Sequence, residues 1–93
     1  MTFNEDVLRR TEKAGFQFFI TDLELAITLA QIASDAQEDS EKRERNRSNA
    51  REAYDTIRRI SSHAVLTDEQ REQVNDKLEV LRSALEKLGE VFT

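Results

Sequence analysis

Not one of the 93 residues is proline, and the only glycines are Gly15 and Gly89. Proline removes an amide donor and clashes with the preceding turn, and glycine loses the most backbone freedom on ordering, so these two residues are what most often stops a helix. Ala, Leu, Glu, Arg, Gln and Lys dominate the rest of the chain, and they give up little side-chain freedom in a helix. The sequence therefore reads as all-α and, at this length, as a single domain over residues 1–93. A chain this short buries only about two-thirds of the surface its unfolded form exposes, which leaves little core to hollow into a deep pocket.

Hydrophobic periodicity places the helices. The stretch FQFFITDLELAITLAQIA, Phe16 to Ala33, holds more apolar residues than one helix face accommodates. At about 100° per residue, Phe16, Phe19, Ile20, Leu23, Ala26, Ile27, Ala30 and Ala33 form one face. Phe18, Leu25, Leu29, Ile32 and Ala36 form a second, roughly 140° away. The second face continues backwards through Ala14, Val7 and Phe3, whereas the first has only Leu8 upstream of Phe16. One long helix near residues 4–37 follows. A competing arrangement breaks it near Thr21 or at Gly15, because Thr21 with Glu24 reads as a capping box and Ile20 with Leu25 as its staple. The first fifteen or so residues would then fold back over the second face. Continuity is preferred, since two-residue cap signatures recur by chance and no Pro or Gly-rich loop accompanies this one.

From Gln37 to Asn49 no apolar residue occurs, and then Ala50, Ala53, Tyr54, Ile57 and Ile60 form a narrow stripe. A second helix near residues 41–61 is expected, with Asp39 or Ser40 at its N-cap. Val74, Leu78, Leu81, Leu85, Leu88 and Phe92 recur at spacings of four and three, marking a third helix near 68–88. Thr67 with Gln70 forms its capping box, and Gly89 supplies a left-handed stop after which Val91 and Phe92 fold back or hang free. The expected architecture is an antiparallel three-helix bundle with a long first helix, whose first face packs between the other two.

Charge is unevenly spread along a chain of net charge −5. Residues 21–41 hold six acids and no base, while residues 42–59 hold seven bases against three acids. Within the basic segment Arg43, Arg47, Arg51 and Arg58 share one side of the second helix beside Tyr54, a stripe able to take an anion or an acidic peptide through forked hydrogen bonds. The pairs Asp39–Arg43, Glu41–Arg45, Arg51–Asp55 and Asp55–Arg59 are each four residues apart and would neutralise much of it. The acidic total and the lack of a helix-turn-helix signature argue against nucleic acid as a partner.

Catalytic and metal chemistries find little support. There is no cysteine, so disulfides and thiolate chemistry are excluded. His63, the one histidine, has Ser61, Ser62 and Asp68 nearby, but neighbours in a short linker do not assemble a nucleophile, base and oxyanion site. Asp35, Gln37 and Asp39 resemble the start of an EF-hand loop, yet Ser40 replaces its turn glycine and Asn46 its closing glutamate. Ile60 stands three before His63 where a di-metal bundle needs a glutamate. No cofactor and no enzymatic activity are expected. The longest uninterrupted apolar runs are about three residues, against the roughly twenty of a membrane span, and MTFNEDVLRRTEK lacks the order of a signal peptide. A cytoplasmic chain with no membrane partner is the expectation.

In NAREAYDTIRRI, the spacing of Ala50, Tyr54 and Ile57 resembles the second helix of a tetratricopeptide-type repeat, and LELAITLAQIA, with Ala26, Ala30 and Ala33, resembles a first helix. The similarity covers residues 23–60, without the repeat's Trp, Leu-Gly or closing Pro and without a second copy. It implies a helical hairpin of the kind used in protein–protein binding. The residues thus point to a non-enzymatic interaction module, a homodimer or subunit of a larger assembly, that self-associates through Phe18, Leu25, Leu29 and Ile32. The alternative is a monomeric binder of an anion or acidic peptide through Arg43, Arg47, Arg51 and Arg58.

Overall fold

The structure, a computed structural model, describes residues 5–92, with side chains from residue 15 onward. It contains three helices, α1 (Glu5–Asp35), α2 (Ser40–Ser61) and α3 (Asp68–Lys87), packed side by side in an up–down–up bundle. α1 is unbroken through both Gly15 and Thr21. The cap signature at Thr21 is overridden because Phe19, Leu23, Ala26 and Ala30 are all buried only if one helical phase runs through it. The expectations for Phe3, Val7, Leu8 and Ala14 lie outside the described side chains.

Each junction is closed by identifiable side chains. Asp39 is the N-cap of α2, its carboxylate accepting from the Lys42 amide at 3.0 Å. At the other end, Arg71 reaches back from the first turn of α3 and donates to the carbonyls of Ser61 (3.2 Å) and Ala64 (2.9 Å). A cation there satisfies orphan acceptors and suits the negative end of the α2 dipole. Thr67 and Gln70 form the full reciprocal capping box of α3, at 3.1 and 3.0 Å. α3 ends in a Schellman turn: the Glu90 amide donates to the Leu85 carbonyl and the Gly89 amide to that of Glu86, both at 3.0 Å, with Gly89 at φ 95°.

The core is one cluster drawn from all three helices. α1 supplies Phe16, Phe19, Leu23, Ala26 and Ala30, α2 supplies Ala50, Tyr54 and Ile57, and α3 supplies Val74, Leu78, Leu81 and Leu85. α1 therefore lies between its neighbours along its first face, as the periodicity required. One assignment is corrected. Ile60 is 42% exposed, and Ser61, 4% exposed, takes the inward position instead. The inward row runs 46, 50, 54, 57, 61 at spacings of four and three, so Asn46 and Ser61 end it with polar side chains. Asn46 is satisfied locally, donating to the Lys42 carbonyl at 2.8 Å.

Register follows from lengths and contacts. Lys77 meets Glu24 at 3.4 Å, and a shallow groove sets Ile27, Ala30, Gln31 and Ser34 opposite Val80, Ser83, Ala84 and Lys87. α3 thus begins level with Gly15 and α2 ends near the same height, so α1, 31 residues against 22 and 20, runs past both. By length and composition Gly15–Asp35 is apolar enough to cross a membrane, which a count of uninterrupted runs does not reveal. The core helix of a bundle has the same composition, and one side of this segment is that core.

The two glycines should respond in opposite directions to alanine, since neither has an atom within 4 Å of an added Cβ. Gly15→Ala, inside α1, is expected to stabilise by up to about 1 kcal/mol. Gly89→Ala, forced to a positive φ, is expected to destabilise by about 1–2 kcal/mol. Urea unfolding followed by circular dichroism measures both.

Candidate interaction site

The residues expected to form the second face of α1 do share one side of the helix but differ in availability. Phe18 is 55% and Leu25 57% exposed, whereas Leu29 and Ile32 are half-buried. Leu29 packs against the core cluster. Phe18 is steadied by the edge of its neighbour Phe19, ring centroids 6.1 Å apart. The freely presented part of this face is therefore Phe18 and Leu25, one heptad apart, with Leu29 and Ile32 continuing it along the helix under partial cover. Ile60 adds a further exposed apolar side chain near the end of α2 that the sequence stripe had assigned to the interior.

The arginine stripe is organised differently from the sequence expectation. Of the four helical pairs anticipated, Arg51–Asp55 forms, at 3.1 Å. Asp39 does not pair with Arg43, because at the N-cap its carboxylate is engaged by the Lys42 amide. Glu41–Arg45 and Asp55–Arg59 are not among the ion pairs of the described residues. Arg47 pairs with Glu44 instead, three residues away. A further neutralising group comes from the far end of the chain. Glu90, only 15% exposed, accepts from Arg47 and from Arg51 Nη1, the latter at 3.3 Å. Arg51 Nη1 also donates to the Val91 carbonyl at 2.9 Å. Phe92 then lies edge-on to Tyr54, centroids 4.9 Å apart, with the Arg51 guanidinium 4.0 Å and that of Arg82 5.4 Å from its ring centre.

The tail thus folds back over α2, and Glu90, Phe92 and Arg82 are site residues the sequence reading missed. The one available signal was the left-handed Gly89, which turns the chain but does not say onto what. Arg43 is half-buried and Arg58 exposed, so the stripe divides into an engaged pair and two flanking cations. Hydrogen bonding from Arg47 holds the Glu44 carboxyl below the usual glutamate range, against a small opposing effect of desolvation and with the arginine's charge acting in the same direction.

The other groups weighed from the sequence are occupied in local structure. His63 is exposed in the turn after α2, its amide donating to the Ile60 carbonyl. The Ser61 and Ser62 hydroxyls donate to the carbonyls of Arg58 and Arg59. Asp35 accepts from Gln31, and Asp39 caps α2. Among the described residues no group of three or more His, Cys, Asp or Glu is arranged to hold a metal ion. No protein-family model matches the chain, and neither does any curated protein or solved structure.

Two outcomes are expected. Arg51→Ala removes two ion pairs, to Asp55 and Glu90, a carbonyl contact and the guanidinium over Phe92, and should lower stability by about 1–2 kcal/mol; Arg58→Ala should stay within about 0.5 kcal/mol. The lowered Glu44 pKa makes its pairing fully effective above the range where a free glutamate titrates, and that contribution fades as pH falls through the depressed folded-state value. Glu44→Gln should therefore flatten the acid side of the stability–pH curve near that range and leave the alkaline side unchanged.

Proposed function

We propose that this protein is a non-enzymatic helical interaction module that self-associates through the second apolar face of α1. The observation that supports the reading is the pair Phe18 and Leu25, both more than half exposed on one side of the helix that half-buried Leu29 and Ile32 continue. Two large apolar side chains held a heptad apart on a rigid helix are what a second helix of the same kind can bury self-complementarily about a twofold axis.

Magnitude sets how far such a contact must extend. The exposed parts of these side chains come to a few hundred Å², about the largest apolar patch an ordinary monomer carries. A stable interface buries about 800 Å² per partner, so the contact must run beyond the patch. α1 provides that length, because it continues past the ends of α2 and α3 towards Glu5. The resemblance of residues 23–60 to a tetratricopeptide-type hairpin implies a scaffold of the kind used in protein–protein binding.

Sedimentation equilibrium over a wide concentration range tests the reading. The expected result is a dimer. Phe18→Asp with Leu25→Asp should weaken it by at least about a hundredfold while helicity is retained, because an interface cannot hold unpaired carboxylates. A monomer at every concentration, or unaltered association in the folded double variant, overturns it. Leu29 is left intact, since it supports the core.

A further inference from the structure

Beyond Gly89 the chain forms no more helix, yet three successive residues engage the bundle in three different ways. Glu90 offers a carboxylate to Arg47 and Arg51, Val91 offers its carbonyl to Arg51, and Phe92 places a ring between Tyr54 and the guanidinium groups of Arg51 and Arg82. A forked cationic clasp beside an aromatic slot capped by arginine is how a folded domain reads a peptide carrying an acid and an aromatic side chain. The receiving residues stand on the helices and have supports of their own. Tyr54 belongs to the core cluster of the three helices, Arg51 is paired with Asp55, and Arg47 with Glu44. Glu90, Val91 and Phe92 reach the rest of the chain covalently through the turn at Gly89.

We propose that Arg47, Arg51, Tyr54 and Arg82 form a binding site for a partner segment with a carboxylate two residues ahead of an aromatic side chain, and that Glu90–Phe92 occupies it as an intramolecular competitor. Charge complementarity selects that occupant. Three guanidinium groups converge on the site, and the seated segment supplies one carboxylate, one carbonyl and one ring in the matching order. A simple anion would satisfy the arginines and leave Tyr54 uncovered. The inference uses none of the residues of the α1 face and stands apart from self-association.

A short tether holds the tail at an effective concentration on the order of millimolar, so an external segment must compete with it. The test titrates the 93-residue chain into a fluorescein-labelled, amidated LGEVF peptide, the sequence of Leu88 to Phe92, and reads anisotropy. Wild type should bind weakly, and Glu90→Gln with Phe92→Ala should bind at least about tenfold tighter because the competitor is disabled. Adding Arg47→Glu and Arg51→Glu to that variant should abolish binding, and an LGEVA peptide should lose at least about tenfold. Should the double variant lose helicity, Glu90→Gln alone keeps the ring and should still bind several-fold tighter than wild type. A helical variant that binds no tighter than wild type, or binding indifferent to the two arginines, overturns the proposal. So does displacement by low-millimolar inorganic phosphate with LGEVA binding as well as LGEVF, which would mark a simple anion site. Sedimentation on the same samples reads self-association separately.

Discussion

The packing of α1 against both of its neighbours over small buried side chains sets the geometry of this bundle. Ala26, Ala30, Ala33 and Ala50 are all 1% exposed or less, and small side chains at these positions let neighbouring helices pack closely. α3 then closes the remaining side with larger residues, Val74, Leu78, Leu81 and Leu85, which fill the furrow that the alanines leave shallow. Dispersion and apolar burial act over the whole length of this arrangement, so any local preference that would interrupt α1 must outweigh them. The cap signature at Thr21 offers about 1 kcal/mol and does not.

That packing also determines what α1 cannot bury. A helix lying between two neighbours has one flank turned outward, and on this chain the flank carries Phe18 and Leu25. Leu29 and Ile32 belong to the same face in the sequence but lie partly under cover in the fold. A face that is uniform in periodicity thus becomes graded in the fold, from support at one end to presented surface at the other.

The C-terminal tail shows how a helix stop can become a tertiary device. The Schellman turn at Gly89 satisfies the last carbonyls of α3 and at the same time directs Glu90 towards α2. Carboxylate, carbonyl and ring then fall in order on Arg47, Arg51 and Tyr54. The compensation of the basic helix comes from a single acid some forty residues away as well as from Glu44 and Asp55 on its own surface. Side chains four apart on a helix meet within reach but remain in water, where pairing is worth a few tenths of a kcal/mol. Glu90 sits largely shielded between two guanidinium groups, where the same attraction is stronger.

Local chemistry was legible in the residues themselves. The lack of proline, the apolar spacings, Asp39, the Thr67–Gln70 box and the left-handed Gly89 each act within a turn or two of where they occur, and all of them appear in the structure as helices, caps and a stop. Periodicity also separated the two faces of α1, because a helix displays its composition at a constant angle. It placed Ala50, Tyr54 and Ile57 on the inward row of α2 but not the end of that row, where Ser61 takes the place assigned to Ile60. Nor could it bring Glu90, Phe92 and Arg82 to the arginine stripe, because contacts across forty residues depend on where the helices stand once packed. The sequence by itself determined the helices and their ends, through forces that act over one turn. Tertiary packing alone decided which apolar side chains remain outside and which acid answers the arginines, because burial and long-range pairing exist only when all three helices are in place.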